Sequence, residues 1–303
     1  MGVINEGVYT KHSYAKMNLH LQVGEKRSDS FHTISSLFQM ISLHDEITLT
    51  ITPRSTTTIE CSVTGHELPK NNSMVQAAKS FLVEANLTAH IHIHCNKRIP
   101  LQSGLGGGSS NAASTLQLLQ QASGYALSHS KLLELGSSLG SDVPFFIADE
   151  PLSYVTGKGE ILSPIKSRED LEGLIVIPQD LSISTPWAYN QLDQTRYSLK
   201  ELKHKEHLEE MYNKAVRKWN FVNDFEEVVI SLTPLYRDLK ALVDNEKDVF
   251  GLLSGSGSAF YILSDQSHTV DALGDQIALF AYQTDVYPIK CLHQRQLGAT
   301  VLL

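Results

Sequence analysis

Cysteine is scarce. Cys61, Cys95 and Cys291 are the only three among 303 residues, far apart and without a CxxC pair, which argues against a zinc box or a disulfide framework and fits a reducing cytoplasm. Basic clusters are missing too. The 25 lysines and arginines are scattered among 33 acidic residues for a net charge of −8, so nucleic acid and membrane surfaces are poor partners. No apolar run approaches the length that spans a membrane. The opening MGVINEGVYTKHSYAK lacks the apolar core of a secretory signal, and Glu6 stands where a myristoylation signal needs Ser or Thr. What remains, at 42% hydrophobic residues, reads as a soluble chain long enough for two domains, with a small molecule as its ligand.

The most distinctive stretch, SGLGGGSSNAAS from Ser103 to Ser114, is also defined by what it lacks. A Walker loop ends in Gly-Lys-Ser/Thr, whereas this one runs on as Ser109-Ser110-Asn111. A dinucleotide fingerprint needs a third glycine where Ser109 stands, and Pro100 interrupts the approach from the preceding strand. A simpler device remains: backbone N–H groups of a glycine loop and the first turn of a helix together hold an anion. Hydroxyls of Ser109 and Ser110 could add donors or help hold a metal ion. The plain structural reading, a glycine turn that only lets strand and helix approach closely, stays open at this point.

Around the loop the pattern alternates between strand and helix. YAKMNLHLQVG predicts a half-buried strand from Tyr14 to Gly24, with Met17, Leu19, Leu21 and Val23 on one face and Lys16, Asn18 and His20 on the other. LHDEITLTITP and LTAHIHIHCN repeat that alternation. Ala112, Leu116 and Leu119 predict a helix as far as Gly124, and a second runs from Lys131 to Leu139. Val143 precedes a proline and is biased to extended geometry, which predicts Asp142 at a helix-to-strand junction. Thr185 and Pro186 read as the N-cap and first turn of a helix. The mixed charges of Arg196 to Asn220 predict a solvated helix or a surface insertion. TPLYRDLKALVDN starts another helix, VFGLLSGSGSAFYIL reads as strand, glycine turn and strand, and a last helix and strand close an α+β pattern. His90, His92 and His94 invite a zinc reading, but alternation with Ile91 and Ile93 on a strand explains them and no fourth ligand is near in sequence.

Four segments share an order with a known family. SYAKMNLHLQVGEKRSDSFHTISSLFQMISLHDEI, IPLQSGLGGGSSNAAS, LGSDVPFF and LLSGSGSAFYIL together resemble the GHMP kinase superfamily over nearly the whole chain. The AKxNLxL…FHT…LFQ opening resembles, within it, the branch that phosphorylates 4-diphosphocytidyl-2-C-methyl-D-erythritol.

The resemblance implies an α+β, two-domain GHMP kinase fold. Residues 1–157 would form an N-terminal, ribosomal-protein-S5-like ATP-binding domain with a left-handed βαβ crossover, and 158–303 a ferredoxin-like C-terminal domain. It implies a cytoplasmic, ATP- and Mg2+-dependent kinase, a monomer or weak homodimer. Pro100, Leu101, Gln102, Ser103, Gly104, Leu105, Gly106, Gly107, Gly108, Ser109 and Ser110 would wrap the ATP phosphates. Lys16 and Asp142 match the catalytic pair. Such catalysis is mostly positioning and charge neutralisation, since the phosphoryl-transfer transition state is loose. On the acceptor side, His32 would hydrogen-bond the cytosine with Phe31 and Tyr189 as aromatic walls, and Asn18, Thr185, Gly255, Ser256 and Gly257 would contact the substrate. The sequence departs from the pattern at Phe31, where the family has tyrosine, and at Gln102 and Ser103, where it has small residues. A kinase for another small alcohol, such as homoserine or mevalonate, and a catalytically silent nucleotide binder are the competing readings.

Overall fold

The computed structural model describes residues 4–195 and 201–297. β1 (Gly7–Lys26) and β2 (His32–Pro53) form a long antiparallel hairpin. β2 also pairs with β4 (Ala89–Asn96) and β5 (Leu152–Thr156), β3 (Thr58–Thr64) runs parallel to β4, and β6 (Ile161–Pro164) pairs with β5. A parallel pair needs a crossover, and α1 (Ser73–Glu84) supplies the one between β3 and β4, capped by the Asn72 side chain. α2 (Gly107–Ala122), α3 (His129–Leu139) and α4 (Val143–Ala148) follow. α2 buries Ala112, Leu116 and Leu119 as the periodicity predicts. It also buries Asn111, Ser114, Thr115 and Leu118, because it is enclosed by β1 and β2 on one side and by α1, α3 and α4 on others.

The second sheet has the order β10-β7-β9-β8, antiparallel throughout. It is built from β7 (Glu172–Pro178), β8 (Val249–Leu253), β9 (Phe260–Ser264) and β10 (Thr284–Lys290), with α8 (Pro234–Asn245) and α9 (Ser267–Ala278) packed on it. Between β7 and α8 lie α5 (Thr185–Thr195), α6 (Lys205–Tyr212) and α7 (Glu226–Val229). Residues 7–164 supply the first sheet and 172–290 the second, so the chain crosses between sheets shortly after the division expected at 157/158. The sheets share a core in which Met17 and Leu19 meet Ile175, Leu252 and Tyr261.

Two expectations change. The first strand is 20 residues long, runs through Gly24, and is buried on both faces from Ala15 to Gly24. Its apolar face is also divided: Met17 and Leu19 join the buried cluster that holds Ile175 and Tyr261, whereas Leu21 and Val23 join a second cluster that runs from Leu49 of β2 to Phe260 of β9. A register shift between Asn18 and His20 accounts for this, since one extra residue re-aims every side chain beyond it. The charged segment is the second correction. Residues 196–200 of it lie outside the described residues, but Leu208, Met211, Tyr212, Val216 and Trp219 are buried in the core between the sheets. Its backbone is also tied down: Gln22 Oε1 accepts the Lys203 N–H at 2.8 Å, and Ser35 Oγ and Tyr154 OH donate to the Lys203 carbonyl. The segment is a packed element whose outward face carries the charge. Of the histidine strand, Ile91 and Ile93 point into the core, and the three histidines hydrogen-bond Thr58, Ser62 and Thr64 of β3. Among the described residues no cluster of metal-ligand side chains occurs.

Candidate active site

A cleft of about 820 Å³ opens where β1, the glycine loop, the start of α4, α5 and the β8–β9 turn meet. Lys16, nearly buried, projects into it from β1. Its Nζ donates to Asn18 Oδ1 at 2.6 Å, lies 3.3 Å from Asp142 Oδ2, and sits 4.3 Å from the centre of the Phe38 ring. Asn18 is held in turn: its Nδ2 donates to Ser36 Oγ at 3.0 Å and its backbone N–H to Ser254 Oγ at 3.3 Å.

Asp142 is not at a helix-to-strand junction. Val143 and Pro144 open α4, with Asp142 at its N-cap. The bias that proline imposes on its predecessor loses here to the preference of proline for a helix's first turn. The Asp142 carboxylate makes no capping bond, which leaves it for Lys16 and the cleft.

The glycine loop crosses above Lys16, whose N–H donates to the Leu105 carbonyl at 3.0 Å. Gly106, at φ +71°, is the N-cap of α2, and a side chain there would press on Lys16 and Phe146. Gly104, at φ +77°, lies flat against the β8–β9 turn, where a Cβ would overlap the Ser254 carbonyl oxygen. Ala259 N–H donates to the Ser103 carbonyl at 3.0 Å, so the turn and the loop are hydrogen-bonded to each other. The first N–H groups of the 16-residue α2 thus face the cleft with the positive end of its dipole. Beneath them lies a buried ion pair: Lys97 Nζ is 2.6 Å from Asp45 Oδ2, while Asp45 Oδ1 accepts the N–H groups of Arg98 and Ile99 at 2.7 and 2.8 Å.

The opposite end of the cleft is aromatic. Phe31 is half exposed at the rim with Lys158 Nζ 4.7 Å from its ring centre. The His32 ring stacks on Tyr189 with centroids 5.0 Å apart, and Phe225 meets Tyr189 edge-on. His32 Nε2 lies 2.8 Å from Asp193 Oδ1, and Lys26 Nζ 3.0 Å from Asp193 Oδ2. Burial works to raise the Asp193 carboxyl, but hydrogen bonds from Lys26 and His32 outweigh it and hold the group below the ordinary carboxylate range.

Of the residues singled out in the sequence, Lys16, Asn18, Phe31, His32, the loop from Pro100 to Ser109, Asp142, Thr185, Tyr189, Gly255 and Ser256 line the cleft. Ser110 and Gly257 do not. Ser110 is buried, its Oγ accepting a hydrogen bond from Ser13 Oγ at 2.7 Å, and Gly257 faces Ile183. Thr185 is not the cap of α5 but its first residue; Ser184 Oγ accepts the Trp187 N–H, and Thr185 Oγ1 lies 3.0 Å from Ser256 Oγ. Gln102 takes a left-handed backbone at φ +54° and receives a hydrogen bond from Ser182 Oγ. The sequence reading missed Asp45, Lys97, Lys26, Lys158 and Asp193. Asp193 stands one helical turn after Tyr189; Lys26 and Asp45 lie within the first of the four family-like segments but no pattern there marks them, and Lys97 and Lys158 are single charges outside those segments.

A family model described as the GHMP kinases N terminal domain matches residues 72–150. A 4-diphosphocytidyl-2-C-methyl-D-erythritol kinase of Salinibacter ruber is 32% identical over 260 residues, covering 84% of this chain and 89% of the relative. Its namesake from Chlorobium chlorochromatii is 31% identical over 287 residues, covering 92% and 96%. A crystal structure of a 4-(cytidine 5'-diphospho)-2C-methyl-D-erythritol kinase matches with a TM-score of 0.74 at 26% identity, covering 92% of this chain and 98% of its own. A homoserine kinase from Cytophaga hutchinsonii, at 16% identity and a TM-score of 0.69 with 95% and 96% covered, shares the fold.

Proposed function

The chain belongs to the 4-diphosphocytidyl-2-C-methyl-D-erythritol kinase family and, as a small-molecule kinase of isoprenoid-precursor synthesis, uses ATP to phosphorylate the 2-hydroxyl of that substrate; we propose how the cleft divides the work. The carrying observation is the Lys16–Asp142 pair at 3.3 Å, set between a glycine loop and an aromatic wall. The loop and the first turn of α2 hold the nucleotide phosphates by backbone N–H groups. The acceptor's cytosine lies among Phe31, His32 and Tyr189, which brings its methylerythritol end toward Asn18, Lys16 and Asp142. The hydroxyl oxygen forms the new bond to the γ-phosphorus as the bridging bond to ADP breaks, and Asp142 takes the hydroxyl proton. Lys16 orients Asp142 and Asn18 and offsets charge on the transferring group.

Magnesium fits this site as an ion carried by the nucleotide. It keeps several waters and needs only one or two protein oxygens; Ser109 and Asp142 would supply them in the cleft, and the ion would neutralise phosphate charge. We place the protein in the cytoplasm, a reading supported by three free cysteines; among the described residues no helix is long and apolar enough to cross a membrane. We take it to act as a monomer or weak homodimer. Asp142→Ala tests the assignment: turnover should fall by about 10² to 10⁴ while ATP binding, followed by calorimetry, stays near that of the parent. Loss of ATP binding in step with turnover would remove Asp142 from the acceptor side.

A further inference from the structure

The His32–Asp193 contact does more than bury a histidine. Asp193 stands on α5 one turn after Tyr189, so one helix supplies both the ring stacked on His32 and the carboxylate at its edge. The carboxylate has Lys26 on one oxygen and the His32 Nε2 on the other. An ionised carboxylate can only accept hydrogen bonds, and Asp193 is held below the usual carboxylate range, burial being outweighed by those two donors. A proton therefore sits on Nε2, and in the neutral imidazole the other ring nitrogen, Nδ1, carries a bare lone pair.

We propose that Asp193 is a positioning residue that fixes the tautomer of His32, and thereby makes the cleft read a pyrimidine with an exocyclic amine and reject one with a carbonyl there. The inference rests on the assignment of the acceptor's base to the wall of Phe31, His32 and Tyr189. A bare Nδ1 accepts a hydrogen bond from the amine of cytosine. The corresponding group of uracil is a carbonyl oxygen, so two lone pairs would face each other and a nearly buried ring nitrogen would go unpaired. Sites built on such a hydrogen bond discriminate strongly against the analogue that cannot make it.

The experiment compares kcat/KM for the cytidine-diphosphate-linked acceptor and its uridine counterpart in the parent, Asp193→Asn and Asp193→Glu. An asparagine can turn either its oxygen or its amide N–H toward Nε2 and no longer dictates the tautomer. The parent should prefer cytidine by about 100-fold or more. Asp193→Asn should narrow that ratio by about tenfold or more with KM for ATP unchanged, and Asp193→Glu should keep most of it. A parent that prefers cytidine while Asp193→Asn keeps the same ratio overturns the inference and leaves the base assignment standing. A parent that does not distinguish the two bases overturns both.

Discussion

Replacing Gly104 by alanine should detach the phosphate loop from the β8–β9 turn. At φ +77° a Cβ at Gly104 would overlap the Ser254 carbonyl oxygen and lie 2.9 Å from that of Gly257. Both obstacles are backbone, so no rotamer change relieves them. The left-handed conformation alone costs an alanine about 1–2 kcal/mol, and forcing atoms into a packed contact typically adds about 1–3 kcal/mol; together they give roughly 2–5 kcal/mol. Gly65 separates the two contributions, because it has φ +74° and nothing within 4 Å of its Cβ position. Chemical denaturation should place Gly65→Ala about 1–2 kcal/mol below the parent and Gly104→Ala well below that. Initial rates should show KM for ATP rising in Gly104→Ala alone, because Gly104 shapes the loop to which we assign the phosphates. If Gly104→Ala is no less stable than Gly65→Ala and keeps the parent KM for ATP, the loop does not depend on the turn and the reasoning fails.

The buried pair beneath the loop and a buried histidine behind it make two further tests. Asp45→Asn keeps an oxygen for Arg98 and Ile99 but leaves the Lys97 ammonium buried beside a neutral group; denaturation should show a loss of about 3–5 kcal/mol, and adding Lys97→Met should recover a large part of it. His20 is buried between Gln22 and the Val222 N–H, and desolvation pushes its pKa from 6.5 down to about 4. Above pH 6.5 both folded and unfolded chains hold it neutral. Between 6.5 and 4 the unfolded chain binds the proton and the folded chain does not, so stability should fall with falling pH by up to roughly 3 kcal/mol. His20→Gln should flatten that acid limb in pH-dependent melting, and an unchanged limb would mean other groups cause it.

What could be read in advance was what is local. The glycine loop, the Thr-Pro helix start at Thr233, the strand-turn-strand around Gly255 and the isoleucine-inward strand at Ile91 each announce themselves within about ten residues. The two-sided burial of β1 could not be read, because the partners of its polar side chains come from elsewhere: Lys16 meets Asp142, Asn18 meets Ser36, and Gln22 meets Lys203. In the charged segment the apolar positions Leu208, Met211 and Tyr212 have helical spacing, but the charges between them masked it. Asp142 was misplaced in secondary structure because a proline argues for two different neighbours at once. The loop's own motif marked one wall of the cleft, whereas Asp45, Lys97 and Asp193 matter only through what folding brings beside them.

If one cleft joins ATP to a cytidine-bearing alcohol through Lys16 and Asp142, as we propose, ADP release in a coupled assay will depend on that alcohol. Purified protein with ATP and magnesium should release ADP with 4-diphosphocytidyl-2-C-methyl-D-erythritol and stay at background with mevalonate or homoserine. ADP release with either of the small alcohols and none with the cytidine-bearing one would contradict it.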